Sequence, residues 1–205
     1  MLELRDLCCE RGGRTLFRER GSTVPAGHLL RVLGPNGSGK TSLLRMVCGL
    51  LPPAAGEILW RGEPTRRLGE DFARQLVYLG HAAAIKDDLT GLENLEMACA
   101  LGGRSVAREA AAAALREAGL AGRARVPARQ LSAGQRRRVA LARLLLASHA
   151  PLWVLDEPFN ALDVEATAWL GGVVRGHLQQ GGVVVLTSHQ DMGLEAQANQ
   201  VVLQL

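Results

Sequence analysis

Eight consecutive residues leave this chain little freedom in what it can become. Gly34-Pro35-Asn36-Gly37-Ser38-Gly39-Lys40-Thr41 fits G-x-x-x-x-G-K-S/T without a mismatch. Before it, Leu29 to Leu33 reads as a buried strand. After it, the residues from about Lys40 to Cys48 read as a helix, stopped by Gly49 and Pro52-Pro53. A glycine-rich turn in that position lets backbone N–H groups converge on phosphate oxygens, and the helix N-terminus adds its partial positive charge. Lys40 is then placed to reach the β- and γ-phosphates of a nucleotide, and the Thr41 hydroxyl to hold Mg²⁺. A chance glycine turn explains the spacing alone, but not the strand before it and the helix after it.

Leu152-Trp153-Val154-Leu155-Asp156-Glu157 is an apolar strand ending in two carboxylates. Open α/β sheets bind ligands at the carboxyl ends of their strands, so Asp156 suits a hold on Mg²⁺. Glu157 then faces the γ-phosphate and orients or deprotonates the attacking water. An Asp-Glu pair says little by itself; beside a phosphate loop it says a great deal.

The remaining elements agree with a sheet flanked by helices. Met1 to Leu16, with Gly12-Gly13, reads as strand, turn, strand; Glu57–Trp60, Val77–Gly80 and Val183–Thr187 read as further strands. Thr90 with Glu93, and Ser132 with Gln135, have the spacing of capping boxes. The second opens a helix expected to run to about Ala147. Ser105–Ala118 and Val164–Gln179 are also helical, and a short tail closes the chain. Residues 82–150 are mainly helical, so one α/β domain is expected: a core of 1–81 and 151–205, with 82–150 as an inserted lobe.

Composition narrows the setting. The 205 residues are 47% hydrophobic, which suits a folded domain and argues against disorder. No run approaches the ~18 apolar residues of a membrane span, and the start lacks a secretory pattern; a soluble, intracellular protein is expected. The net charge of +4 comes from arginine, because Lys40 and Lys86 are the only lysines. The arginines are spread out, which favours compositional bias over a nucleic-acid surface. Cys8, Cys9, Cys48 and Cys99 have no zinc-type spacing, and reduced structural thiols are expected.

Leu131-Ser132-Ala133-Gly134-Gln135 distinguishes among phosphate-loop families. It resembles the signature of ABC ATPases, usually L-S-G-G-Q, with only the third residue changed. Physically it is a capped helix start, a second place for an anion; an ordinary capping box would look the same. Arg136-Arg137-Arg138 and Asp156-Glu157 follow at the family's usual separation. Asn160-Ala161-Leu162-Asp163 resembles the loop that joins two subunits' sites, and Thr187-Ser188-His189 the switch segment whose histidine senses the γ-phosphate. The resemblance runs from Leu2 to Leu205. It implies a RecA-like phosphate-loop core with an N-terminal β part and a helical lobe, ATP and Mg²⁺ as ligands, and ATP sandwiched between two copies. Gly34 through Lys40, Thr41 and Ser42 then hold nucleotide; Lys40, Glu157 and His189 are catalytic; Thr41 and Asp156 hold the metal; His81 and Asp163 couple.

Two departures refine the resemblance. Family members place an aromatic near Arg11 to stack on adenine; here Arg11 is the candidate, through its guanidinium plane. They also carry a glutamine where this chain has His81. Tyr78-Leu79-Gly80-His81 followed by Ile85-Lys86-Asp87-Asp88-Leu89-Thr90-Gly91-Leu92-Glu93-Asn94-Leu95 is similar to the ATP-binding subunit of the bacterial haem exporter of cytochrome c maturation. That likeness implies integral membrane permease subunits as partners, a peripheral place on the cytoplasmic face of the bacterial inner membrane, and no nucleic acid. Direct haem binding is not expected, since Cys8, Cys9, His28, His149 and His177 share no ligand arrangement. An ABC ATPase for another exported substrate, or one acting on nucleic acid or ribosomes, is the competing reading.

Overall fold

The computed structural model describes residues 1–188 and 199–205. The chain opens with β1 (Leu2–Arg11), the Gly12-Gly13 turn and β2 (Arg14–Val24), paired antiparallel. Leu2, Leu4, Leu7 and Cys9 of β1 are buried. The three-residue step from Leu4 to Leu7 coincides with a register shift and with Asp6 at φ 48°, a bulge that resets the alternation. After β3 (Leu29–Leu33) and α1 (Lys40–Val47), β4 (Ala55–Trp60) pairs with the free side of β1 and β5 (Glu63–Pro64) with β4. These four strands form one antiparallel sheet in the order β2-β1-β4-β5.

The second sheet is parallel. Two short helices, α2 (Thr65–Leu68) and α3 (Glu70–Ala73), lead into β6 (Leu76–Leu79). The helices α4 (Gly91–Leu101), α5 (Arg108–Glu117) and α6 (Ala133–Ala142) follow, then β7 (Leu152–Asp156), α7 (Val164–Gln179), β8 (Val183–Thr187) and β9 (Gln200–Gln204). Among the described residues its order is β6-β7-β8-β3-β9. All five residues of β7 and of β8 are buried, as strands covered on both faces must be.

Side-chain alternation divides this sheet between two cores. Leu30, Val32, Leu152, Val154, Val183 and Val185 pack with Leu43, Leu44 and Val47 of α1 and with the inner face of the antiparallel sheet. Leu29, Trp153, Leu155, Val184 and Leu186 pack with Leu170, Val174 and Leu178 of α7. A third core, including Leu92, Leu95, Leu115 and Val139, holds α4, α5 and α6 together.

Three details depart from the sequence reading. The expected short tail is a strand, since β9 pairs in parallel with β3 from Leu29↔Gln200 to Leu33↔Gln204. The helix expected to reach Ala147 ends at Ala142 and tightens into a 3-10 turn over Arg143–Leu146. The short helices α2 and α3, of one turn each, are too brief to show a periodicity. The four thiols are free, and burial pushes Cys48 up to about 12. Burial also lowers the pKa of His177 to about 4, with its ring stacked 3.7 Å from that of Trp153.

Both capping boxes form as the spacing predicts. Asn94 then secures the segment before α4. Its Oδ1 accepts from Lys86 N–H at 2.7 Å, and its Nδ2 donates to the carbonyls of Lys86, Leu89 and Thr90 at 3.0, 3.2 and 3.0 Å. The side chain is 1% exposed, so water replaces none of these partners. Asn94→Ala is expected to lower the unfolding free energy by about 1–3 kcal/mol, the cost of leaving buried polar groups unsatisfied. Urea denaturation measures it; a loss under about 0.5 kcal/mol, the scale of neutral surface changes, would contradict the role given to this amide.

Candidate active site

Parallel register brings the chemistry together. Val32 of β3 lies opposite Thr187 of β8, and Thr187 opposite Asp156 of β7. The carboxyl ends of three neighbouring strands therefore meet beside the loop that begins at Gly34. That loop needs glycine at position 39 for two reasons. Its φ is 104°, which L side chains rarely adopt, and a Cβ there would lie 3.0 Å from the Phe17 ring and 3.2 Å from Leu16 Cβ. Gly39 also stands as the N-cap of α1 and supplies no side-chain cap, which leaves that helix end to an anion.

Lys40 Nζ donates to the carbonyls of Gly34 at 2.7 Å and Pro35 at 3.1 Å. Thr41 Oγ1 donates to Asp156 Oδ2 at 2.8 Å. Thr187 Oγ1 donates to Asp156 Oδ1 at 2.8 Å and accepts from the Glu157 backbone N–H at 2.9 Å. One buried hydroxyl thus orients both acidic residues, and each Asp156 oxygen has its own donor. Asp156 and Glu157 are 2% and 8% exposed, and Glu157 turns the chain out of β7 at φ 50°.

Beside them opens a cleft of about 630 Å³. Lys40, Thr41, Ser42, Asp156 and Glu157 all border it, with Asn36, Gly37 and Gly39 of the loop. Arg11 and His81 border it too, together with Asn160 of the 160–163 loop and with Leu16 and Arg45, to which no sequence motif pointed. Gly34, Pro35 and Ser38 are not part of this lining; the first two act through the carbonyls that hold Lys40. The Thr41 hydroxyl and the Asp156 carboxylate put two hard oxygens side by side at the cleft, a donor set that fits Mg²⁺, which takes one or two protein oxygens beside phosphates and water.

The signature residues stand apart. None of Leu131 to Gln135 lines the cleft. Leu131 is buried, while Ser132 and Ala133 are exposed, so the change from glycine at 133 places a methyl group in open space. Ser132 Oγ accepts from Gln135 N–H at 3.2 Å, and Gln135 Oε1 from Ser132 N–H at 3.0 Å. Gly134 cannot take a side chain, because a Cβ would lie 2.6 Å from the Ala161 carbonyl oxygen. The helix start is thereby packed on the 160–163 loop. Asp163 does not line the cleft; its Oδ1 accepts from Ala166 N–H at 2.8 Å and caps α7. Thr187 and Ser188 are buried at the end of β8, and His189 lies outside the described residues.

Two buried side chains escaped the sequence reading. The role of Thr187 emerges only from strand register. Arg137 stands in the middle of a basic run, yet it is 6% exposed and donates to five backbone carbonyls. Burial lowers its pKa, and the charges of Asp156 and Glu157 oppose that shift. The available signal was helical position: Arg137 is one turn before Leu141, on the buried side of α6.

Thr187→Val keeps the shape of the side chain and removes its hydroxyl. It leaves the Glu157 N–H and one Asp156 oxygen without their partner, at an expected cost of about 1–3 kcal/mol in stability. ATP hydrolysis is expected to fall more than ATP affinity, since the phosphate loop is untouched. Equal losses in both, or none in either, would contradict the orienting role of this hydroxyl.

Comparison with known proteins bears on the family and the fold. The ABC transporter family matches residues 18–160. The cytochrome c biogenesis ATP-binding export protein CcmA of Dechloromonas aromatica is 52% identical over 96% of this chain and 96% of that protein. The CcmA of Aromatoleum aromaticum is 54% identical, over 93% of this chain and 89% of that protein. Among solved structures, the ATP-binding cassette MJ0796, in a dimeric post-hydrolysis state bound to ADP and Pi, matches with a TM-score of 0.82 at 25% identity, over 99% of this chain and 94% of that one. The chain therefore belongs to the ABC transporter family and, within it, to the cytochrome c biogenesis ATP-binding export proteins.

Proposed function

We propose that this chain hydrolyses ATP to drive a membrane complex of cytochrome c maturation, powering haem export or the release of a haem-loaded periplasmic chaperone. The observation that carries the catalytic reading is the convergence of Lys40, Thr41, Asp156 and Glu157 on one cleft. The cytochrome c assignment rests on relatives about half identical along nearly the whole chain. Its partners are a second copy of itself and integral permease subunits, and its place is the cytoplasmic face of a bacterial inner membrane. Residues 1–81 and 151–205 form the catalytic core and 82–150 the lobe that meets the partner.

Lys40 exchanges the carbonyls of Gly34 and Pro35 for β- and γ-phosphate oxygens. Thr41 and Asp156 would hold Mg²⁺, which would supply positive charge to the same phosphates. The Glu157 carboxylate accepts a hydrogen bond from the attacking water and fixes its approach, with His189 as the γ-phosphate sensor. Water oxygen bonds to the γ-phosphorus as the bond to the bridging oxygen breaks; a water proton passes to the Glu157 carboxylate, and ADP leaves with the electron pair of the broken bond. Leu16 and Arg11 offer the adenine an apolar contact and a planar cation. His81, at the same cleft, takes the coupling place of the family's glutamine, and Asp163 steadies the loop toward the second copy.

This reading gives the chain neither nucleic acid nor haem as a ligand. Arg136 and Arg129 are paired with Asp87 and Asp88 at 2.8 Å each, and Arg137 is buried on backbone carbonyls. His177 is stacked on Trp153, and His149 is bonded to Arg104.

Two outcomes check the mechanism. Glu157→Gln is expected to bind ATP normally, lose at least ~100-fold in turnover, as loss of a general base does, and accumulate an ATP-bound dimer. Near-native hydrolysis by that variant removes Glu157 from the role. Because the signature residues lie off the cleft of their own chain, hydrolysis is expected to rise more than linearly with protein concentration until dimers saturate. Ser132→Arg should bind ATP yet hydrolyse poorly, since bulk and charge block the second anion site; a strictly linear rate from a proven monomer contradicts this arrangement.

A further inference from the structure

The Arg137 guanidinium joins two separate segments that border the cleft. Nη2 donates to the carbonyls of Asp156 at 3.0 Å and Glu157 at 2.8 Å, and Nε to that of Pro158 at 3.4 Å. Nη1 donates to the carbonyls of Gly80 at 3.0 Å and His81 at 3.2 Å. A guanidinium owns five N–H donors in a fixed plane, and all five are used here on main-chain oxygens. Burying such a group costs more free energy than burying an aliphatic side chain of similar bulk. Space filling alone does not account for it.

We infer that Arg137 is a positioning residue for Glu157, tying the main chain around Glu157 and His81 to the helix that the signature opens. The inference rests on reading Glu157 as the group that orients the attacking water. Glu157 sits at φ 50°, where residues other than glycine are uncommon. Its N–H is held by Thr187 from the sheet and its carbonyl by Arg137 from α6. Both peptide groups that define the direction of its side chain are thereby fixed from different elements. Ser132 caps the same helix five residues before Arg137. A displacement of α6, as when the second copy's nucleotide docks at Ser132, passes through a saturated, planar group to the carbonyls beside Glu157 and at His81. Lys40 and Thr41 are not among the partners of Arg137, so nucleotide binding does not depend on it.

Steady-state hydrolysis and ATP binding by the purified full chain test this, with thermal melting as the control for folding. Arg137→Ala is expected to lower kcat about 10–100-fold, the scale of misplacing a reacting group by about an ångström, with Kd and KM for ATP changed less than about threefold. Arg137→Lys keeps the charge but only three donors, so it recovers only part of kcat. Added to Glu157→Gln, Arg137→Ala should slow the residual rate by no more than about threefold, because both act through one group. Should Arg137→Ala not fold, Arg137→Lys enters the same cycle under the same limit. Native kcat in folded Arg137→Ala or Arg137→Lys, or losses that multiply in the double variant, overturns the inference. Native kcat in Glu157→Gln is a different failure, which removes Glu157 itself from the mechanism.

Discussion

The parallel alignment of β3, β8 and β7 is the constraint on which the site depends. Once Val32, Thr187 and Asp156 stand side by side, a phosphate loop leaving β3 and a carboxylate pair leaving β7 must meet at one edge. The alignment is held by hydrophobic burial more than by any polar contact. Each strand alternates its side chains between the α1 side and the α7 side, so a slip of one residue would exchange two well-packed cores. Register is therefore strongly specified, and the 2.8 Å contacts of Asp156 with Thr41 and Thr187 follow from it.

A second constraint joins the helices to that edge. Asp87 and Asp88 pair with Arg136 and Arg129, and the main chain of 87–89 bonds to Ala128 and Arg129. The exposed ion pairs contribute little each. The buried contacts matter more: Asn94 satisfies four main-chain groups around Lys86–Thr90, and Arg137 satisfies five across Gly80–His81 and Asp156–Pro158. The segment that begins at His81 is therefore fastened both to the signature helix and to the strand end that carries Glu157. Such rigid, two-ended connections carry a displacement from one element to the other, because packed interiors transmit displacement and mobile ones absorb it.

The signature element illustrates how incomplete one copy is. Its capped helix start is formed and its glycine is packed against Ala161, yet none of its residues reaches the cleft of its own chain. That separation is what the proposed two-copy site requires, and the cassette MJ0796, which matches this fold, is itself dimeric. Asp163 is the cap that fixes where the loop ends and α7 begins.

Much of this was present in the sequence because it is local. A phosphate loop, two capping boxes, a strand ending in Asp156-Glu157 and a helix from Val164 to Gln179 each depend on residues within one turn or one strand, where spacing has a direct physical meaning. The sequence by itself thus determined the chemistry of the loop and the α/β class. Tertiary structure alone decided the rest. Thr187 became the hydroxyl between Asp156 and Glu157 because of a strand register set by two cores. Residues 200–204 became a strand because β3 offered an unpaired edge. Arg137, ordinary in a run of three arginines, became the buried centre of five hydrogen bonds because Gly80–His81 and Asp156–Pro158, far apart in the chain, meet beneath α6. Such partners are separated by tens of residues, and no local pattern encodes which distant carbonyls a folded chain will bring together.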